Sequence, residues 1–235
     1  MTGNMTEDNT SMHTAIGGHG FLPLLSWVSP AFPTGNYAYS HGLEWAVEQG
    51  HIHDVASLCR WLEALIEHGS LKNDLIFLNT AWECAYEDEA LADLAAYALA
   101  CASSRERYEE SLWQGEAFLR AASVWQPDCT ALRKAFACPL PVAQGLVFRR
   151  GKVERLAALQ AGGYGAVAAL VAAVVKLVPL GQTDGLRALQ HMEAILPQAA
   201  QRAAHSTLDD VSSLCFAADL AAMQHETQRT RLFRT

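Results

Sequence analysis

The sequence predicts an all-α protein, a single globular helical domain of roughly nine or ten helices. Three observations predict it. Apolar residues recur at i, i+3 and i+4 along nearly the whole chain, no run alternates with period two over more than a few residues, and no linker rich in Gly, Ser or Pro separates two halves. With 235 residues and 51% hydrophobic side chains, the chain can bury roughly 70% of its unfolded surface and is not disordered throughout.

The start, Met1–Gly20, is polar and lacks the positive end and apolar run of a secretory signal; it reads as a disordered tail. Ser40 can cap a short helix over Leu43, Ala46 and Val47 that stops near Gly50. Asp54 is placed as the N-cap of the next helix, whose stripe of Val55, Leu58, Cys59, Leu62, Leu65 and Ile66 closes at Gly69. Leu71, Leu75, Leu78 and Trp82 continue the pattern, then Leu91, Leu94, Ala98 and Leu99. Ser103 or Ser104 opens a long helix through Tyr108, Leu112, Gly115 and Leu119 that ends by Pro127. Pro139, Pro141 and Gly145 loosen the reading between Cys129 and Gly151, where two flanking helices are expected, the second starting near Pro141. Gly162 and Gly163 precede an all-apolar helix, Ala166 to Val178, that should be enclosed on every side and stopped by Pro179. Thr183 or Asp184 starts the next, with Leu186, Leu189, Met192, Ile195 and Leu196 inward. A last helix is expected from Leu208 or Asp209 to about Thr227, with Leu214, Leu220 and Met223 in its pattern. The chain thus divides into the tail 1–20, a helical domain 21–227 and a carboxyl segment 228–235.

Lys and Arg number 17 against 25 Asp and Glu, a formal charge of -8, which excludes a phosphate-neutralising nucleic-acid partner. The most apolar stretch, Ala166–Val175, is half the roughly 20 residues a bilayer requires, so no membrane association and a soluble, cytoplasmic protein are expected. The six cysteines are widely spaced and read as buried thiols. His225-Glu226 begins like a zinc-protease helix, but position 229 is Arg where a second His is needed. No phosphate-binding glycine loop occurs. No catalytic residue and no cofactor is therefore predicted. His41, His51, His53 and Cys59 could form a transient site for a borderline metal such as nickel, and a solvated loop with unrelated histidines accounts for the same residues.

Two segments ask for more than a fold. In Ser29–Glu44, two prolines and two glycines stiffen a path that carries Phe32, Tyr37 and Tyr39. Rings on a stiff loop suit an interface anchor, and packing onto the loop's own domain explains them equally. In His225–Thr235, Arg229, Arg231 and Arg234 surround Leu232-Phe233 in an otherwise acidic chain. Such a segment should order against an acidic, apolar groove on another molecule, and as an exposed end its removal should leave folding untouched. A third stretch, Lys176–Gly185, reads as a tight turn in which Gln182 caps a helix end.

SPAFPTGNYAYSHGLEWAVEQG, KLVPLGQTDG and HETQRTRLFRT, in that order, together resemble the urease accessory protein F family, and Tyr108–Gly115 (YEESLWQG) is similar to its middle helix. The likeness runs from Leu22 to Thr235. It departs at Arg229-Thr230, where an aromatic and a serine are usual, and at Thr235, where serine is usual. The resemblance implies an all-helical homodimer that performs no chemistry. It implies binding to a D- or H-type accessory protein, recruitment of the nickel-carrying G-type GTPase, and docking on apo-urease for GTP-dependent nickel insertion. By the same resemblance, the partner-binding residues are Phe32, Pro33, Gly35, Tyr37, Tyr39, Ser40, Gly42, Glu44, Gln182, His225, Glu226, Arg231, Leu232, Phe233 and Arg234.

Overall fold

The computed structural model describes residues 20–235, so the expected tail lies outside the described residues except for Gly20. Among them are eleven α-helices and no strand: α1 Phe21–Trp27, α2 Leu43–Glu48, α3 Val55–His68, α4 Ser70–Glu83, α5 Asp88–Ala100, α6 Arg105–Ala122, α7 Cys129–Ala135, α8 Leu140–Arg150, α9 Arg155–Leu177, α10 Gln182–His205 and α11 Phe216–His225. The sequence pattern did not give α1, seven residues interrupted by Pro23.

Several starts are fixed by caps that the sequence announces. Asp54 accepts from Ser57 N–H at 2.7 Å and the Ser57 hydroxyl accepts from Asp54 N–H at 3.0 Å, a reciprocal capping box. Ser104 Oγ accepts from Arg107 N–H at 3.1 Å. Ser40 is not an N-cap: Gly42, at φ 77°, holds that position in front of α2. The long helix α6 ends at Ala122, five residues before Pro127.

The centre is built from α4, α8, α9 and α10. Backbones approach closely where side chains are absent: a Cβ on Gly145 of α8 would sit 2.3 Å from the Leu78 carbonyl oxygen of α4. The same core holds fully buried Leu62, Leu91, Phe118, Leu146 and Phe148. Trp27 stacks on Phe148 at 5.9 Å and Phe32 leans on Phe118 at 5.1 Å, which ties α1 and the following loop to the core. Cys59, Cys129, Cys138 and Cys215 are buried thiols, Cys84 is half-buried and Cys101 is exposed.

Three helices differ from the sequence reading. α9 begins at Arg155 and runs through Gly162 and Gly163, because Leu78 occupies the space a side chain would need at Gly162, with its Cδ1 2.4 Å from a built Cβ. At 23 residues α9 is long and apolar enough by composition to cross a membrane, yet it packs against α4, α8 and α10. It is also not enclosed on every side, since Tyr164, Ala172 and Lys176 are exposed. α10 starts at Gln182, with Leu186 turned outward. Finally, Leu208–Asp210 is only a 3-10 turn and α11 starts at Phe216, preceded by a stretch pinned to α3 by Leu214 N–H donating to the His68 carbonyl at 2.9 Å.

Candidate functional site

The two segments singled out in the sequence meet. After Phe32 anchors in the core, Gly35 turns at φ 76° into a 3-10 turn, Asn36–Ala38, which raises Tyr37 to 75% exposure. Tyr39 points back and is buried, and burial is the main reason its hydroxyl pKa is raised. His41 (φ 60°) and Gly42 then turn the chain into α2. Gly42 is required twice, by its φ and because a Cβ there would lie 2.7 Å from the Ala222 nitrogen of α11.

The carboxyl segment lies along this loop. Arg234 N–H donates to the Ala38 carbonyl at 2.8 Å and Ser40 N–H to the Thr235 carbonyl at 2.6 Å, which the Ser40 hydroxyl also reaches. Beneath the segment sit three buried carboxylates, Glu44 on α2 and Glu106 and Glu110 on α6. Glu44 accepts from the backbone N–H groups of Leu232 at 2.7 Å and Phe233 at 2.9 Å. Glu106 accepts from Arg231 at 2.6 Å, and Glu110 accepts from the Thr235 hydroxyl at 2.7 Å and pairs with Arg107. Fully buried His225 bridges the first two, 2.7 Å from Glu106 and 3.3 Å from Glu44. Glu226 accepts from Arg105 N–H at 2.8 Å and Glu106 N–H at 3.3 Å, capping α6 where its positive end favours a carboxylate. Gln228 reaches Glu48 at 2.7 Å.

The expected acidic, apolar groove therefore exists, but on this chain itself. Ser40, Glu44, His225, Glu226, Arg231 and Phe233 hold the carboxyl segment to its own domain, and Phe32 is a core residue. The expectation that the segment contributes nothing to folding is corrected for the same reason: removing it would strip partners from three buried carboxylates. The residues that remain outward are Tyr37, Leu232 at 77% exposure, Pro33 and Arg234. Between the loop and the uncovered face of α9 lies a cavity of about 200 Å³ lined by Pro30, Tyr37, Tyr39, Ala168, Ala172, Lys176 and Phe233. Lys176 Nζ is 5.7 Å from the Phe233 ring. From the third stretch it is thus Lys176 that joins the site, while Gln182 is the exposed first residue of α10.

Sequence reasoning did not single out Glu106, Arg107 or Glu110. The spacing of Glu106, Glu110 and Gln114, all buried, is the sign that could have found them: a polar stripe at i, i+4, i+8 on the inner side of α6. The four residues weighed as metal ligands do not converge. His41 is buried against Ser70 at 2.8 Å, its pKa held well below the usual imidazole value by burial and Arg107. His51 lies between the rings of Trp45 and Trp61, His53 bonds the Gly50 carbonyl at 3.1 Å, and Cys59 is buried in α3. Among the described residues, no three His, Cys, Asp or Glu side chains are grouped to hold a metal ion. What the face offers is shape, exposed rings and fixed polar ends.

The UreF family model matches residues 52–193. The urease accessory protein UreF of Agrobacterium fabrum (strain C58) is 44% identical over 224 residues, covering 95% of this chain and 100% of the relative. That of Rhodopseudomonas palustris (strain HaA2) is 42% identical over 238 residues, covering 98% and 100%.

Proposed function

The chain belongs to the UreF family of urease accessory proteins, and from that premise we propose that it matures urease as a bridge and not as a catalyst. In this reading the loop–tail face receives the D- or H-type accessory protein, and the pair recruits the nickel-carrying G-type GTPase to apo-urease for GTP-dependent nickel insertion. The chain acts as a cytoplasmic homodimer. Nickel is cargo here, and among the described residues no three His, Cys, Asp or Glu side chains are grouped to hold it.

The observation that carries the reading is the exposure of both Tyr37 and Leu232, two large side chains left in solvent by a backbone locked at Ser40, Glu44 and Phe233. Ordering such side chains before a partner arrives lowers the entropy lost on binding. Tyr is also a frequent hot-spot residue. The test is the double substitution Tyr37→Ala, Leu232→Ala, assayed by size-exclusion co-elution and titration against the purified D/H-type protein. Because both side chains are exposed, the helical signal and Tm should hold while affinity falls about 10- to 100-fold, equivalent to about 1–3 kcal/mol. Unchanged co-elution at low micromolar concentration would remove the face from the partner interface.

A further inference from the structure

The last helix carries apolar side chains on both sides. Ala221, Ala222 and His225 face α2 and α6, whereas Phe216, Leu220 and Met223 form a ridge at i, i+4 and i+7 that meets solvent, with Phe216 75% exposed. Leu214, which the sequence pattern placed inside the last helix, lies just before it and is also exposed. The ridge borders an open groove of about 560 Å³ between α3 and the start of α11, with Trp61, Leu214 and Phe216 as its apolar walls. A single helix exposing three large side chains beside a groove is an apolar patch that a solitary domain rarely leaves bare.

The charge of this patch says what should cover it. The chain is acidic, yet the ionisable residues lining the groove are Arg60, His51 and His68, without a carboxylate. Neighbouring acids are committed elsewhere: Glu63 pairs with His191, Glu67 lies near His68 and Arg202, Asp54 is used in its capping box, and Asp219 accepts from Ser213 at 2.5 Å. Arg60 makes no ion pair among the described residues. A second copy of this chain seated through the same patch would meet Arg60 with residues of that patch, since a two-fold contact pairs a surface with itself, and no carboxylate lines it. The occupant must instead bring carboxylates beside apolar side chains.

We infer that the α11 ridge and the α3 groove form a second protein-docking surface, separate from the loop–tail face, for a partner segment that alternates acidic with large aliphatic or aromatic residues. The two surfaces sit at opposite ends of α11, about 14 Å apart along its axis from Phe216 to His225.

The test uses the full chain and two fluorescein-labelled helical peptides with one Leu/Phe pattern, one bearing Glu and the other Lys at the polar positions, read by anisotropy at low and physiological salt. The Glu peptide should bind at least tenfold tighter than the Lys peptide, and its advantage should shrink as salt rises. Arg60→Glu should reverse the preference, and Phe216→Ser should weaken both peptides about tenfold. Both variants should keep their co-elution with the D/H-type protein, which separates this surface from the loop–tail face and shows that they fold. Equal binding of the two peptides, no binding of either, or indifference to Arg60→Glu overturns the inference. A change in sedimentation from dimer to monomer in Phe216→Ser also overturns it, in favour of a second copy as occupant.

Discussion

Glu44 shows how much one side chain can organise. Its two oxygens accept two consecutive backbone N–H groups, and the second also faces an imidazole nitrogen of His225. A buried carboxylate used this way is costly to remove, because each partner is then left buried and unpaired. Glu44→Ala should lower unfolding free energy by about 3–5 kcal/mol in urea denaturation. It should also make Arg229 and Arg231 accessible to brief trypsin treatment; a variant as stable and as resistant as the parent would show that the tail is held by other means. Asp74 presents the opposite economy. Three cavities, of about 90, 60 and 60 Å³, meet at its half-buried side chain. Burial lifts its pKa to about 6, with Arg107 opposing and Glu110 adding. The folded protein holds this proton more tightly than the unfolded chain, so stability from this group is greatest below about pH 4 and is lost as pH rises toward 6. Asp74→Asn should therefore stabilise the protein at pH 7 by about 1–2 kcal/mol, discounted for cavity water, and should flatten the stability slope between pH 4 and 6. Identical pH profiles for the two proteins would refute it.

At the scale of elements, packing overrides propensity. Alanine is normally the better helix former by about 1 kcal/mol, but at Gly145 its methyl group would press on the Leu78 carbonyl and the Ala81 Cβ, at 2.3 and 2.7 Å. Neither is a flexible chain end. Gly145→Ala should thus destabilise by about 2–3 kcal/mol despite the propensity gain, seen as a lower Tm with the helical content retained. The same logic makes α9 continuous through Gly162, where Leu78 fills the missing side chain's place. Without knowledge of Leu78, two adjacent glycines read as a break.

For the whole molecule, the carboxyl segment closes the fold. It joins the loop after α1, the start of α2 and the inner side of α6, elements distant in sequence. Deletion of residues 226–235 should lower Tm by several degrees as well as abolish partner binding, since Phe233 and the partners of Glu44, Glu106 and Glu110 leave together. Differential scanning calorimetry of the truncated chain decides it, an unchanged Tm being the contrary result. Partner binding should consequently be probed with Tyr37 and Leu232, whose side chains are exposed and lie outside the core.

Much of this was legible in the residues themselves. Helical periodicity, the caps at Asp54 and Ser104, and the unusual chemistry of Ser29–Glu44 and His225–Thr235 are local properties, written in spacings of three, four and a few residues. That the tail seeks acids and an apolar slot was legible too, because arginines beside Leu-Phe admit few other homes. Which acids, and on which molecule, was not. Glu106 and Glu110 share a stripe with Gln114, but only the closing of α2, α11 and the tail over α6 buries them, and Leu220 and Met223 are left outward because α11's alanines take the inner side. The sequence by itself determined the helices and the kind of contact its ends would make. Only the tertiary structure decided that the groove is the chain's own, since burial and pairing depend on residues brought together from positions far apart along the chain.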